Sequence, residues 1–388
     1  MTQTSLDLPS PDGPPPEPAP APARQRVFDR FSERSLESLA LAAGAGSFVL
    51  VALAALVAFQ FQAAPISGPG SVGQFAAIGA GIVAFLAVIG GRTLVHRQGV
   101  HRRLKPLDYV DVAALAFAHA VIALLGWTLL AVILEDAFIG AEVFPLAVLI
   151  LAGATSAMTA YLAFYSATHM DLQLLAVVLA AFLVFGVLAS MLTASDPNWW
   201  KDNLSALGMS SNVSAFAFNI TIIVAGFLVT TLARYSTRGI PTSHPHGIAR
   251  VRITLIVVGV FLGMVGLFPV DRFFALHTSV ASGMVVAFAV LVIALPRWIP
   301  SMPRAFVALG WLFLAVTLLL AVFFFIGYYT LTAVELVAGI LVFTWIVLFI
   351  RNAAALVQDA RQDAPQQAER APGQGGDASG RSQATSVG

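Results

Sequence analysis

Residues 171–193, DLQLLAVVLAAFLVFGVLASMLT, decide the fold of this 388-residue chain. After Asp171 the stretch contains no charged residue, and it is apolar almost throughout. A helix of this length, at 1.5 Å per residue, crosses the ~30 Å hydrocarbon core of a bilayer. In lipid a helix satisfies its backbone hydrogen bonds internally, whereas a membrane barrel shows alternating segments of about ten residues. The stretch therefore predicts a transmembrane helix.

Similar apolar stretches lie on both sides of it. Gly, Ala, Ser and Thr are scattered through them, and such small residues let neighbouring helices approach closely. The pattern predicts an all-α fold, a polytopic transmembrane helical bundle of about ten helices whose surroundings are the lipid bilayer. The other nine spans are approximately 38–62, 72–95, 109–133, 143–166, 212–234, 251–269, 273–296, 304–327 and 331–352.

The composition excludes several classes of protein. Hydrophobic residues make up 58% of the chain and charged residues 11%, whereas soluble proteins carry about 25% charged residues. A net charge of +1 provides no bulk attraction for nucleic acid, so no nucleic-acid partner is expected. The chain has no Cys and its seven His are scattered. Zinc requires three or four ligands, so neither a metal nor another cofactor is predicted.

The basic residues indicate the orientation in the membrane. All of the 21 Lys and Arg except Lys201 and Arg272 fall on one side of the predicted topology. Because cytoplasmic loops carry the excess of Lys and Arg, both termini are predicted to be cytoplasmic, in a multi-pass protein of the cell membrane. Residues 1–35, rich in Pro, and the polar residues 354–388 lack apolar periodicity and are predicted to be disordered cytoplasmic tails.

Three polar residues inside the helices suggest a site near the outer surface. Asn219, His277 and Glu335 each lie a few residues from the outer end of their helix. A charge at the bilayer centre costs at least ~2.5–3.5 kcal/mol, so polar residues within helices usually have a function or a partner. Asp271 and Arg272 lie just above them. The common depth indicates a shallow, outward-facing polar pocket; the alternative is that these residues snorkel to the interface or hold helices together.

A second polar set lies at the inner end of the third helix and consists of Asp108, Asp111 and His119. At 100° per residue, positions 108 and 119 point within about 20° of one another. An Asp and a His on one face could relay protons. The alternative, which we favour, is that the carboxylates pair with loop bases such as Lys105 or Arg103.

Several short motifs in the second half of the chain resemble a known family. They are DNLSALG (202–208) followed by a helix with Phe216 and Asn219, then GLFPVD (266–271) and HTSVASG (277–283). This pattern resembles the bacterial membrane family catalogued as domain of unknown function 998, over roughly residues 171–353. The resemblance implies a six-helix bundle and no established activity. It singles out Asp202, Asn203, Ser205, Gly208, Pro269, Asp271 and His277.

The resemblance divides the membrane region into two modules, four helices in residues 36–168 and six helices in residues 169–353. We expect the outer pocket, including Asp202 and Asn203, to bind or transport a lipid headgroup or a small polar solute. One alternative is a scaffold or sensor without catalysis. Another is a membrane-embedded hydrolase in which His277 is the general base or a metal ligand and Asp271 or Asp202 orients it. A non-enzymatic role is favoured, and no catalytic residue and no oligomeric state are predicted.

Overall fold

The computed structural model describes residues 33–98, 106–209, 213–238, 240 and 245–370. Within these ranges the chain forms ten helices, and each is long and apolar enough to cross a membrane. The prediction of a polytopic helical bundle is therefore confirmed. The helices are α1 (Glu33–Phe59), α2 (Val72–Gln98), α3 (Pro106–Ala137), α4 (Pro145–Thr168), α5 (Leu172–Leu192), α6 (Val213–Ser236), α7 (Pro245–Leu267), α8 (Phe274–Trp298), α9 (Arg304–Phe325) and α10 (Leu331–Arg370).

The helices pack into one bundle. In the first half, α2 packs against α3 and α4, and α1 covers α4. In the second half, α6 packs against α5 and α7, α8 covers α7, and α10 contacts both α5 and α9. Helix α3 joins the halves because it also contacts α5 and α6. One continuous apolar core consequently extends from Val88 in α2 to Phe349 in α10. The division into a four-helix and a six-helix module stays a prediction.

A short antiparallel ladder connects two loops at one end of the bundle. Strand β1 (Ala64–Pro65), between α1 and α2, pairs with β2 (Glu142–Val143), between α3 and α4. Two-residue strands have no sequence pattern, so this pairing was not predicted. We call this end, where α1, α3, α5, α7 and α9 finish, the outer end, and the opposite one the inner end. Which end faces the cytoplasm stays a prediction.

The last helix is longer than its apolar sequence suggests. Helix α10 continues to Arg370, although the polar tail was expected to start at residue 354. Hydropathy marks only the part of a helix that lies in lipid, whereas the Ala, Gln and Arg residues that follow are good helix formers. The remaining parts of the two tails, residues 1–32 and 371–388, lie outside the described residues.

Helices α6 and α7 touch backbone to backbone. A Cβ atom added at Gly226 would lie 2.5 Å from the carbonyl oxygen of Gly259 and 2.5 Å from the nitrogen of Gly263. The two α7 glycines are four residues apart, which is the small-residue spacing that permits close helix contacts in membranes. This contact fixes the distance between the two helices below the outer loops.

Candidate functional site

The 3₁₀ turn Leu204–Gly208, which we call the outer turn, is the meeting point of the predicted polar residues. The Leu204 N–H donates to Glu335 Oε2 of α10 at 2.6 Å. Asn219 Nδ2 of α6 donates to the Gly208 carbonyl at 3.0 Å. A Cβ atom at Gly208 would collide with Asn219 Oδ1, so a larger residue here would displace the Asn219 amide.

His277 of α8 makes the third attachment to the outer turn. Its side chain is buried, with 5% exposure. Nδ1 lies 2.8 Å from the Phe268 carbonyl oxygen, and Nε2 lies 3.0 Å from Ser205 Oγ. Because a carbonyl oxygen only accepts, the neutral imidazole carries its proton on Nδ1 and accepts the Ser205 hydroxyl at Nε2. His277 therefore ties the α7–α8 connection to the outer turn.

The three polar residues all form hydrogen bonds with the outer turn, and their common depth in a membrane stays a prediction. Asn219, His277 and Glu335 come from three different helices and bind three different residues of that turn. Asn203, which precedes the turn, has a buried Oδ1 without a hydrogen-bond partner in the described part of the chain. This arrangement matches the alternative interpretation, in which these residues hold helices together.

A cavity of about 230 Å³ opens at the outer end, in front of the outer turn. Three carboxylates, those of Asp196, Asp202 and Asp271, line it together with the ring of Trp199. The outer turn forms one wall of the cavity through its residues Ala206 and Leu207. Two of the predicted residues, Asp202 and Asp271, therefore reach the cavity. The contribution of Asp196 was missed, although it lies in the same loop.

The outer cavity carries excess negative charge. Asp271 is paired with Arg272, whose Nε lies 3.9 Å from Asp271 Oδ2 and whose side chain is 68% exposed. Such exposed pairs contribute about 0–1 kcal/mol. Lys201 lies over the ring of Trp200, 5.6 Å from its centroid. The three carboxylates do not converge on one point, since no group of three His, Asp or Glu in the described residues is placed to hold a metal ion.

At the inner end, Asp111 and His119 of the second polar set bond to different helices. Asp111 forms an ion pair with Arg234 of α6 at 3.0 Å and accepts the Thr231 hydroxyl at 2.9 Å. The loop bases Arg103 and Lys105 lie outside the residues whose side chains are described. His119 instead bonds the Leu115 carbonyl and Ser166 Oγ of α4, both at 2.9 Å. The proton relay between Asp108 and His119 stays a prediction.

Asp108 and Asp111 line a second cavity, of about 390 Å³, among α2, α3, α5 and α6. Its lining also includes Arg92 and Arg238, which sequence reasoning used only to orient the chain, and His96, which it did not single out. Their convergence could not be read from the sequence because it depends on how α2 and α6 pack around α3.

The comparisons with known proteins concern the second half of the chain. Residues 174–352 match the DUF998 family model. The family is described as a protein of unknown function. The match extends from α5 into α10, includes the outer turn and His277, and confirms the resemblance seen in the sequence motifs. Helices α1–α4 lie outside the DUF998 match. No curated protein and no solved structure shows a significant match to the chain.

Proposed function

We propose that this multi-pass membrane protein binds an ammonium group in the outer cavity. The group would belong to a small free amine or to the headgroup of a lipid in the outer leaflet. The observation that carries the proposal is the lining of the cavity by Asp196, Asp202 and Asp271. Because carboxylates are acceptors only, they favour a ligand that is cationic and rich in N–H donors.

The shape and lining of the cavity agree with an ammonium ligand. The carboxylates are spread around about 230 Å³, which suits a polyatomic cation better than a metal ion that needs converging ligands. Trp199 adds an aromatic ring, and cations bind over such rings with about 0.5–2 kcal/mol of attraction. The hydrogen bonds that hold the outer turn keep one wall of the cavity in place without a ligand.

Isothermal titration calorimetry in a neutral detergent tests the proposal, with ethanolamine as the probe and choline, which has no N–H donor, as a comparison that should bind more weakly. Asp271→Asn and Asp202→Asn should each weaken binding about tenfold, because each removes a charged acceptor. Asp136→Asn is the matched control, since Asp136 lies near the outer end of α3 and does not line the cavity. Absence of binding by ethanolamine and by phosphatidylethanolamine, or equal weakening by the control, would refute the proposal.

A second experiment decides the source of the ammonium group. Native mass spectrometry compares how strongly the protein retains phosphatidylethanolamine and phosphatidylglycerol with identical acyl chains. Retention of phosphatidylethanolamine that is lost in Asp271→Asn, while retention of phosphatidylglycerol is unchanged, would identify a lipid headgroup. Ethanolamine binding without such phosphatidylethanolamine retention would identify a free solute.

A second candidate function rests on one contact, the 3.0 Å hydrogen bond between Ser205 Oγ and His277 Nε2. A hydroxyl next to a general base is the arrangement of an activated nucleophile, so hydrolysis of a lipid ester is the corresponding activity. The sequence suggested that Asp271 or Asp202 orients His277. In the structure, the Phe268 carbonyl orients it instead. A fluorophosphonate probe should then label the protein and fail to label Ser205→Ala. No labelling would exclude this candidate.

A further inference from the structure

The cavity at the inner end has both charged and apolar walls. Arg92 and His96 of α2 and Arg238, which follows α6, supply its basic side chains. Leu172 and Leu175 of α5 and Leu228 of α6 supply apolar surface. We propose that this cavity binds the phosphate group of an anionic amphiphile, independently of any ligand at the outer end.

Three acidic residues, Asp108, Asp111 and Asp171, also line the cavity. Asp111 is paired with Arg234 at 3.0 Å. The carboxylate of Asp171 accepts the Leu174 N–H at 2.7 Å and caps α5. Asp108 lies in the first turn of α3, where the helix dipole stabilises a negative charge. The carboxylates keep their negative charge, so the cavity would bind an anion through the directed N–H donors of Arg92 and Arg238 and not through a net positive charge.

Arg92 and Arg238 retain donors for an anion. Within the part of the chain that the structure describes, Arg92 makes one hydrogen bond, from Nη1 to the Ala167 carbonyl at 3.4 Å. The Arg238 guanidinium is stacked over the Tyr235 ring, 4.8 Å from its centroid, which leaves its edge accessible. A guanidinium carries five N–H groups, and two of them can bind a phosphate in parallel.

The apolar walls and the position favour a lipid as the carrier of the phosphate. The cavity lies among four membrane-spanning helices, and acyl chains pack against leucine as well as leucine packs against itself. Basic pockets between transmembrane helices on the cytoplasmic side bind anionic headgroups, and this is the end that the basic residues predict to be cytoplasmic. A soluble phosphate compound would use the same donors but not the leucines.

Native mass spectrometry tests the phosphate-binding proposal with phosphatidylglycerol and phosphatidylcholine that have identical acyl chains. The wild-type protein should retain phosphatidylglycerol more strongly. The double variant Arg92→Gln/Arg238→Gln should lose at least about tenfold in the bound-to-free ratio. The matched control is Arg297→Gln/Arg304→Gln, which removes the same charge from the exposed inner ends of α8 and α9 and should change the ratio less than about twofold. Thermal unfolding without lipid checks that both double variants fold.

Competition by sn-glycerol 3-phosphate distinguishes the two carriers. Displacement of phosphatidylglycerol at equal molar amounts would show that a soluble phosphate is sufficient, and absence of displacement would show that the lipid chain contributes. Equal retention of the two lipids by the wild type, or equal loss in the two double variants, would overturn the proposal.

Discussion

Removal of the Glu335 carboxylate should release the outer turn. Glu335 Oε2 accepts the Leu204 N–H at 2.6 Å, a short bond to a charged acceptor. Hydrogen bonds to charged groups contribute about 1.5–3 kcal/mol, and neutral ones about 0.5–1.5 kcal/mol. Glu335→Ala should therefore lower the free energy of local opening by about 2 kcal/mol, which corresponds to about 30-fold faster amide exchange at Leu204. Glu335→Gln keeps an acceptor and should lose about 1 kcal/mol, or about fivefold.

Hydrogen–deuterium exchange by mass spectrometry, in lipid nanodiscs, measures the rate of amide exchange on peptides that contain the outer turn. The effect should be confined to the outer turn and its neighbours, and peptides from the middle of α5 report whether the bundle itself has loosened. The reasoning fails if Glu335→Ala leaves exchange at Leu204 within about twofold of the wild type, or if Glu335→Gln accelerates it as much as Glu335→Ala.

The packing and the ion pairs give three further predictions. Gly226→Ala should destabilise the protein by about 1–3 kcal/mol because its Cβ meets the α7 backbone. Gly90→Ala is the control and should not destabilise it, because a Cβ there meets nothing within 4 Å. Equal shifts of the thermal unfolding temperature in the two variants would contradict this prediction. Asp111→Asn and Arg234→Gln should couple in a double-mutant cycle by about 0.5–3 kcal/mol, whereas additive effects would show that the pair contributes nothing. Arg272→Gln should strengthen ethanolamine binding in calorimetry, since it removes the cation beside the outer cavity; weaker binding would show that Arg272 helps to hold the ligand.

The helices were predictable because hydropathy and the fixed rise per residue are local properties. The ten spans follow from apolar runs, and the shared depth of Asn219, His277 and Glu335 follows from counting residues from helix ends. The end of α10 was not predictable in this way. Helix propensity continues beyond residue 353 after the apolar signal has stopped.

The partners of the polar residues could not be predicted because they are distant in sequence. His277 bonds a residue 72 positions away, and Glu335 one that is 131 positions away. Asp111 is an instructive case: its nearest bases along the chain, Lys105 and Arg103, lie in the preceding loop, yet it pairs with Arg234, 123 positions away. Helix packing decides which charged residues form ion pairs. The apolar pattern of the sequence does not encode that packing, because lipid and protein interior are equally apolar.

The outer turn has one more consequence, because it is attached on one side and forms a cavity wall on the other. Its bonds to Asn219, His277 and Glu335 come from α6, α8 and α10, while Ala206 and Leu207 face the cavity. These helices cannot separate without stretching one of the bonds or reshaping the cavity. The width of the cavity therefore depends on the spacing of these helices. A ligand that fits only one cavity width would hold the helices at the corresponding spacing.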